Sequence, residues 1–247
     1  MSMTDGLLHR AAERIWLLPP EEERDRPVLG YVHGDRWSLQ IDAGASPAHL
    51  ALFHRALAEQ GLPAPALVVL THWHWDHSFG LAGLTCPSLA GERTQRELER
   101  VSRWGWTEEE MARRLATGEE IPFCDTHLRR EYPCPAAIAV RPADLTFSGR
   151  LRLDLGEVVA ELLELPDTHS GDAVAVLLPG QSFAFLGDMI CGDFYGRDGG
   201  YDPARLRQML AALEALPFTR CVTGHDLPEE KASLLAELRA ELHRLEP

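Results

Sequence analysis

Residues 71–80, THWHWDHSFG, place three histidines and an aspartate within six consecutive positions, directly after the apolar run Leu67-Val68-Val69-Leu70. A short apolar run followed at once by polar residues reads as a buried strand. Residues two apart in an extended segment point the same way, so His72 and His74 can grip one cation where the strand ends. Asp76 and His77 follow on a tight turn and can face a second cation. The pattern demands a fold in which a strand delivers ligands to the edge of a sheet.

Imidazole nitrogens with a carboxylate suit zinc, manganese or iron(II), and a pair of metals ~3.5–4 Å apart needs about five to seven protein ligands. Four local ligands are too few. Three further candidates sit where other strand-like segments end: His169 in LPDTHSGD, Asp188 in FAFLGDM and His225 in CVTGHD. A lone histidine behind a strand is ordinarily a satisfied core or surface residue, so the weight lies on the ordered set.

That set resembles the metallo-β-lactamase superfamily, whose motifs are an early Asp, H-x-H-x-D-H, a His, an Asp and a final His. All five occur here in order, over about residues 27–226. By position, Asp42 in LQIDAG resembles the early Asp that supports the ligands. His72, His74 and His169 resemble the first metal site; Asp76, His77 and His225 resemble the second, with Asp188 bridging both. The resemblance implies an α/β fold, the αββα four-layer sandwich of two mixed β-sheets flanked by helices, with the metals at the edge between the sheets. It implies two Zn2+, or Mn2+ or Fe in their place, and a metal-bridging hydroxide oriented by Asp76 as the nucleophile of a hydrolase.

The remaining sequence is consistent with one domain spanning residues 1–247. Strand-like runs fall at 14–18, 27–32, 37–41, 66–70, 158–165, 173–178, 183–186 and 220–222, with a meander over 145–165. Helical patterns fall at 48–59 after the cap Ser46, 92–101, 203–216 and 228–245. Residues 103–135 read as a helical insertion, opened by the capping box Thr107/Glu110 and placed as a lid or specificity element. Its Trp104, Trp106, Phe123 and Tyr132 are candidates for an apolar pocket or for packing, and its His127 for a pocket role. Trp73 and Trp75 are expected to pack beside the site, and the Tyr195 phenol to hydrogen-bond a substrate oxygen.

A formal charge of −14 without a basic stripe argues against nucleic acid as a partner. No segment approaches ~18 uninterrupted apolar residues and no leader pattern opens the chain, so a cytoplasmic location and no membrane partner are expected. Five scattered cysteines read as free thiols, with Cys191 and Cys221 as buried structural residues. Within the resembled superfamily, Asp188 stands where the commonest zinc β-lactamases carry Cys. A single helix after His225 departs from glyoxalase II, which carries a helical glutathione-binding domain there, and the short insertion of mixed charge departs from the nucleic-acid-processing members. The expectation is a dinuclear metal-dependent hydrolase that cleaves an ester, lactone, thioester or phosphodiester bond of a small molecule. Two rivals stand beside it: a mononuclear iron sulfur (persulfide) dioxygenase using His72, His169 and Asp188, and a non-catalytic binding protein on the same fold. Oligomeric state is left open.

Overall fold

The structure is a computed structural model and describes residues 7–246. Seven strands form the first sheet in chain order: β1 (His9–Ala12), β2 (Ile15–Leu18), β3 (Leu29–His33), β4 (Ser38–Ile41), β5 (Leu67–Val69), β6 (Ser88–Gly91) and β7 (Leu145–Phe147). The first four pair antiparallel, and β4 to β7 pair parallel. Six strands form the second: β8 (Arg150–Asp154), β9 (Val159–Glu164), β10 (Val174–Leu178), β11 (Phe183–Gly187), β12 (Arg220–Thr223) and β13 (Glu229–Glu230). All pairs there are antiparallel except β11 with β12.

Side-chain alternation explains why the runs are apolar throughout. Leu67 and Val69 of β5 face the core between the sheets, while Val68 and Leu70 face the helices outside. In the same way Val174, Val176, Phe183 and Phe185 enter the inter-sheet core, and Ala175, Leu177, Ala184 and Leu186 face outward. Both faces of these central strands are covered, so no polar alternation survives in them, whereas the edge strand β8, RLRLD, alternates exposed Arg150, Arg152 and Asp154 with Leu151 and Leu153. Helix α1 (Pro47–Glu59), capped by the Ser46 hydroxyl accepting from the His49 amide at 3.1 Å, lays Phe53 and Leu57 on Leu29 and Tyr31 of the first sheet. The short α2 (Trp75–Ser78) and α3 (Glu92–Val101) lie on the same side, with Trp75 and Leu98 in the outer cluster. On the far side α6 (Pro203–Ala215) and α7 (Lys231–Leu245) bury Leu206, Met209, Leu213, Leu234 and Leu238 against the second sheet. Two mixed sheets flanked by helices make the four layers expected.

Three differences from the sequence reading have local causes. The segment 145–165 is not one meander: β7 joins the first sheet by parallel pairing to β6, and only β8 and β9 form a hairpin in the second. The last helix starts at Lys231, because Glu229 and Glu230 pair with β12 as an edge strand. Strands β1 and β6 have no counterpart in the sequence pattern; Ser88–Gly91 reads SLAG, and its extended state comes from its neighbours β5 and β7.

The insertion folds as α4 (Glu108–Thr117) and α5 (Pro122–Glu131), with Thr107 capping α4 by accepting from the Glu110 amide at 3.3 Å. Arg114, only 1 % exposed, sits between Trp104 and Trp106 at 4.6 and 4.7 Å from their ring centres and donates to the Gly105 carbonyl at 2.7 Å. The Tyr132 hydroxyl donates to the Ala45 carbonyl at 3.1 Å. These three aromatics hold the insertion in place, and of the four aromatic candidates only Phe123 lines the cavity beside the centre.

Candidate metal centre

Five strand ends converge on one edge of the sandwich. In the second sheet β9 and β11 are each antiparallel to β10, and β11 is parallel to β12, so all three end on the same side. His169, Asp188 and His225 follow those ends. In the first sheet β4 and β5 are parallel, and Asp42 and the His72 to His77 segment follow their ends. The amide of Val174 donates to the Thr71 carbonyl at 2.8 Å, joining the two sheets at this edge, and Trp73 donates its amide to Asp172 Oδ2 at 3.0 Å. Burial pushes the Asp172 carboxyl up to about 6. Asp167 accepts the amides of His169, Ser170 and Gly171 at 2.8–2.9 Å and so shapes the turn that presents His169.

Two groups result, His72 with His74 and His169, and Asp76 with His77, Asp188 and His225; within each, candidate ligand atoms lie within 4.8 Å of one another. The supporting bonds fix which nitrogen each ring presents. His169 Nδ1 lies 2.9 Å from the Gly192 carbonyl, which only accepts, so the proton is on Nδ1 and the Nε2 lone pair faces His74 Nδ1 at 2.8 Å. The Thr71 hydroxyl donates to the Asp42 carboxylate at 2.9 Å, so it accepts from His72 Nδ1 at 3.1 Å and leaves the His72 Nε2 lone pair for the centre. Asp42 Oδ2 also holds His77 Nδ1 at 2.8 Å and turns His77 Nε2 inward. Asp42 keeps this position at φ 62°, in the left-handed region, with Thr71 and His77 on its side chain and Gln40 Nε2 on its carbonyl at 2.7 Å.

In the second group Asp76 Oδ2 lies 3.1 Å from His77 Nε2 and 3.2 Å from His225 Nε2, while Asp188 Oδ1 lies 3.4 Å from His77 and Oδ2 3.5 Å from His225. Asp188 Oδ2 is also 3.7 Å from His169 Nε2, so this carboxylate touches both groups, as a bridging ligand must. Gly224 is required by that closeness: a Cβ there would stand 1.8 Å from Asp188 Oδ1 and 2.9 Å from His77.

Electrostatics separates the groups. Burial, helped by the neighbouring imidazoles, holds His72 and His74 well below the usual histidine range. Burial also pulls on His77 and His225, but the carboxylates of Asp76 and Asp188 outweigh it and raise both well above that range. Burial raises the two carboxyls in turn, and the two histidines overcome it and hold them below the usual carboxylate range. His72 Nε2, His77 Nε2 and Asp188 Oδ1 are buried with no hydrogen-bond partner in the protein. Orphaned buried polar atoms of this type are costly unless something binds them. A divalent cation in each group would satisfy all three, so the residues fit the metals that the motif implies.

The cavity beside the centre is about 180 Å³ and is lined by His74, Asp76, His169, Asp188 and His225 on the metal side, with Trp75, Ile121, Phe123, Cys124, Phe194 and Tyr195 around it. Tyr195 stands on this wall, 5.6 Å from the His74 ring, and its hydroxyl donates to Glu120 Oε1 at 2.8 Å. Cys191 also lines the cavity and is half-buried, a correction to its expected place in the core; Cys221 is buried, and all five cysteines are free. His127 lies outside, half-buried on α5 with Nδ1 bonded to the Phe123 carbonyl at 2.9 Å. Asp25 is unanticipated: it lines the cavity with a carboxylate oxygen 3.8 Å from His225 Nδ1, and burial with the charge of Asp76 pushes it up to about 7. Nothing in the charged run EEERDR marks it.

Among the described residues no helix is long and apolar enough to cross a membrane. No curated protein matches the chain at a significant level. Solved structures match its fold. A metallo-beta-lactamase from Pontibacter korlensis is 17% identical with a TM-score of 0.66, over 96% of this chain and 98% of that one. A metallo-beta-lactamase family protein from Thermus thermophilus is 20% identical with a TM-score of 0.66, over 96% and 81%. The metallo-beta-lactamase FIM-1 from Pseudomonas aeruginosa, solved in its mono-zinc form, is 15% identical with a TM-score of 0.65, over 96% and 95%. The sequence profile of the Metallo-beta-lactamase superfamily matches residues 31–225, from β3 through the last candidate ligand His225, and the chain belongs to that superfamily.

Proposed function

We propose that the protein is a dinuclear metal-dependent hydrolase of a small molecule, cleaving an ester, lactone, thioester or phosphodiester bond, with zinc as the metal. The observation that carries this reading is the set of buried, unpartnered ligand atoms converging at the sheet edge beside an accessible cavity. Two bound divalent cations supply Lewis acidity and bring a water's pKa from 15.7 to about 7, which makes hydrolysis feasible at neutral pH without a Ser or Cys nucleophile.

The chain's own residues do the rest. His72, His74 and His169 would hold one cation, Asp76, His77 and His225 the other, with Asp188 shared. Asp76 turns Oδ2 to His77 and His225, which leaves Oδ1 to hold a hydrogen of the attacking water and aim its lone pair. Tyr195 faces the substrate across the cavity. With its hydrogen given to Glu120, its oxygen serves as an acceptor for a substrate N–H or O–H, and donation to a substrate oxygen requires that bond to exchange.

Metal content by plasma mass spectrometry on tag-free, chelator-free protein is the test, followed by a screen of lactones, thioesters and phosphodiesters. About two zinc or manganese per chain with turnover of one class is expected. About one iron per chain with oxygen uptake on a persulfide would overturn the reading in favour of the dioxygenase.

A further inference from the structure

We propose that Phe123 and Phe194 form an apolar clamp for the short acyl chain of an uncharged carbonyl substrate beside the metal centre. The inference rests on the hydrolase reading and narrows its substrate class.

Phe123 on α5 is 52% exposed and Phe194, in the loop after β11, is 49% exposed, although both are large apolar side chains. They are neighbours across the cavity mouth, their ring centres 6.5 Å apart and their planes within 17° of parallel. The Phe194 ring stands edge-on to the His169 ring at 6.1 Å, which puts the clamp next to a candidate ligand. Behind them the wall is Ile121, Cys124 and Trp75. An exposed apolar pair that continues into an apolar cavity reads as a binding surface, unlike a single exposed apolar residue.

Charge selects the occupant. No residue lining this cavity is a lysine or arginine, and beyond the ligand carboxylates it carries Asp25. A second anionic group on the substrate would find no counter-charge there. Arginines do border the centre, but in a separate groove beyond Tyr195, where Arg100 pairs with Glu97 at 2.8 Å and Arg205 with Asp167 at 3.2 Å. The cavity of about 180 Å³ is small, so it covers a short chain only.

The test uses metal-loaded protein and methyl esters of straight-chain acids from acetate to decanoate, with bis(4-nitrophenyl) phosphate as the anionic competitor class. kcat/KM is expected to rise about fourfold per methylene until the chain outgrows the cavity, and then level. Phe123→Ala and Phe194→Ala should flatten the rise, chiefly through KM, with metal content unchanged. Esters cleaved without dependence on chain length, or the phosphodiester preferred over every ester, would overturn the clamp and leave the hydrolase reading standing. If no ester is cleaved, calorimetry with neutral amides separates the two ideas. Hexanamide binding at least ~30-fold tighter than acetamide, and weakened in Phe194→Ala, would uphold the clamp while the hydrolase reading falls. Equal binding of the two amides would overturn the clamp.

Discussion

His72, His74 and His169 meet as three imidazoles, whereas Asp76, His77, Asp188 and His225 meet as two imidazoles and two carboxylates. In the first group burial depresses His72 and His74, and the Thr71 and Gly192 oxygens orient the rings of His72 and His169. In the second group the carboxylates of Asp76 and Asp188 raise His77 and His225 well above the usual range. Both are ways of tolerating polar groups in a buried place. The difference lies in what each offers a cation: nitrogen donors alone in the first group, nitrogen donors with two carboxylates in the second.

Removing Asp188 should break the distinction, since its carboxylate lies within 3.7 Å of His169 and also contacts His77 and His225. Asp188→Ala is expected to lower hydrolysis by about a thousandfold or more, from the loss of several kcal/mol of charge stabilisation. It should also bring metal content from two per chain to one or fewer. His72→Ala should cost as much activity yet retain one metal, held by the intact second group. Plasma mass spectrometry on both variants decides, and full metal occupancy in either would sink that ligand assignment.

Asp42 sharpens the comparison because it serves both groups, bonding His77 directly and His72 through Thr71. Asp42→Asn keeps the size but places an amide against His77 Nδ1–H, which favours the wrong tautomer. Metal affinity is expected to fall about ten- to a hundredfold, the usual effect of losing such a supporting group. Competition with a chromophoric chelator measures it, and an unchanged affinity would show that Asp42 serves only the fold.

The strategy of hiding neutral imidazoles has a consequence for acid stability, and His49 reports it without being a ligand. It is 1 % exposed, its Nδ1 accepts the Ala45 amide at 3.3 Å, and burial lowers it to about 3. A folded pKa below the unfolded 6.5 means that its stabilising contribution is complete above pH 6.5 and is lost as pH falls toward 3. By pH 5 the loss is about 2 kcal/mol at 1.36 kcal/mol per unit. Denaturant melts of the parent and His49→Gln at pH 5 and 8 should show a smaller pH difference in the variant. An equal difference would assign the acid lability elsewhere.

The same contrast governs what is legible in the sequence. Every candidate ligand follows a strand end, and strand ends are marked by apolar runs that stop abruptly, so the ordered set His72, His74, Asp76, His77, His169, Asp188 and His225 stands out. The cavity wall has no such marker. Trp104 and Trp106 look like pocket aromatics in sequence but stack on Arg114, a choice made by a partner one helix away. Asp25 is hidden in a run of charges that reads as solvated, and reaches His225 because Arg26 pairs with Glu131 of α5 at 2.9 Å. Phe194 and Tyr195 lie in a loop whose path is set by tertiary bonds, among them the Gly192 carbonyl accepting from His169 Nδ1 at 2.9 Å and the Tyr195 hydroxyl donating to Glu120 Oε1 at 2.8 Å.

Tyr195 carries the smallest expected effect, and it separates the metal half of the site from its wall. Its hydroxyl bonds Glu120, which also accepts the Ile121 amide at 2.9 Å, and its ring packs near His74 and Trp73. Burial raises both the phenol and the Glu120 carboxyl, so each is kept in place by the other. Tyr195→Phe removes a single hydroxyl while keeping the ring, and leaves Glu120 Oε1 one donor short. The expected result is a loss of about 1–2 kcal/mol of stability from that unsatisfied oxygen. Turnover should change by less than about threefold, with metal content intact. A drop in kcat of about a hundredfold with KM unchanged would instead mean that the phenol exchanges its bond to Glu120 for the substrate oxygen during turnover. Tyr195 would then act on the reacting group and belong with the ligands, although its own motif offers no metal chemistry.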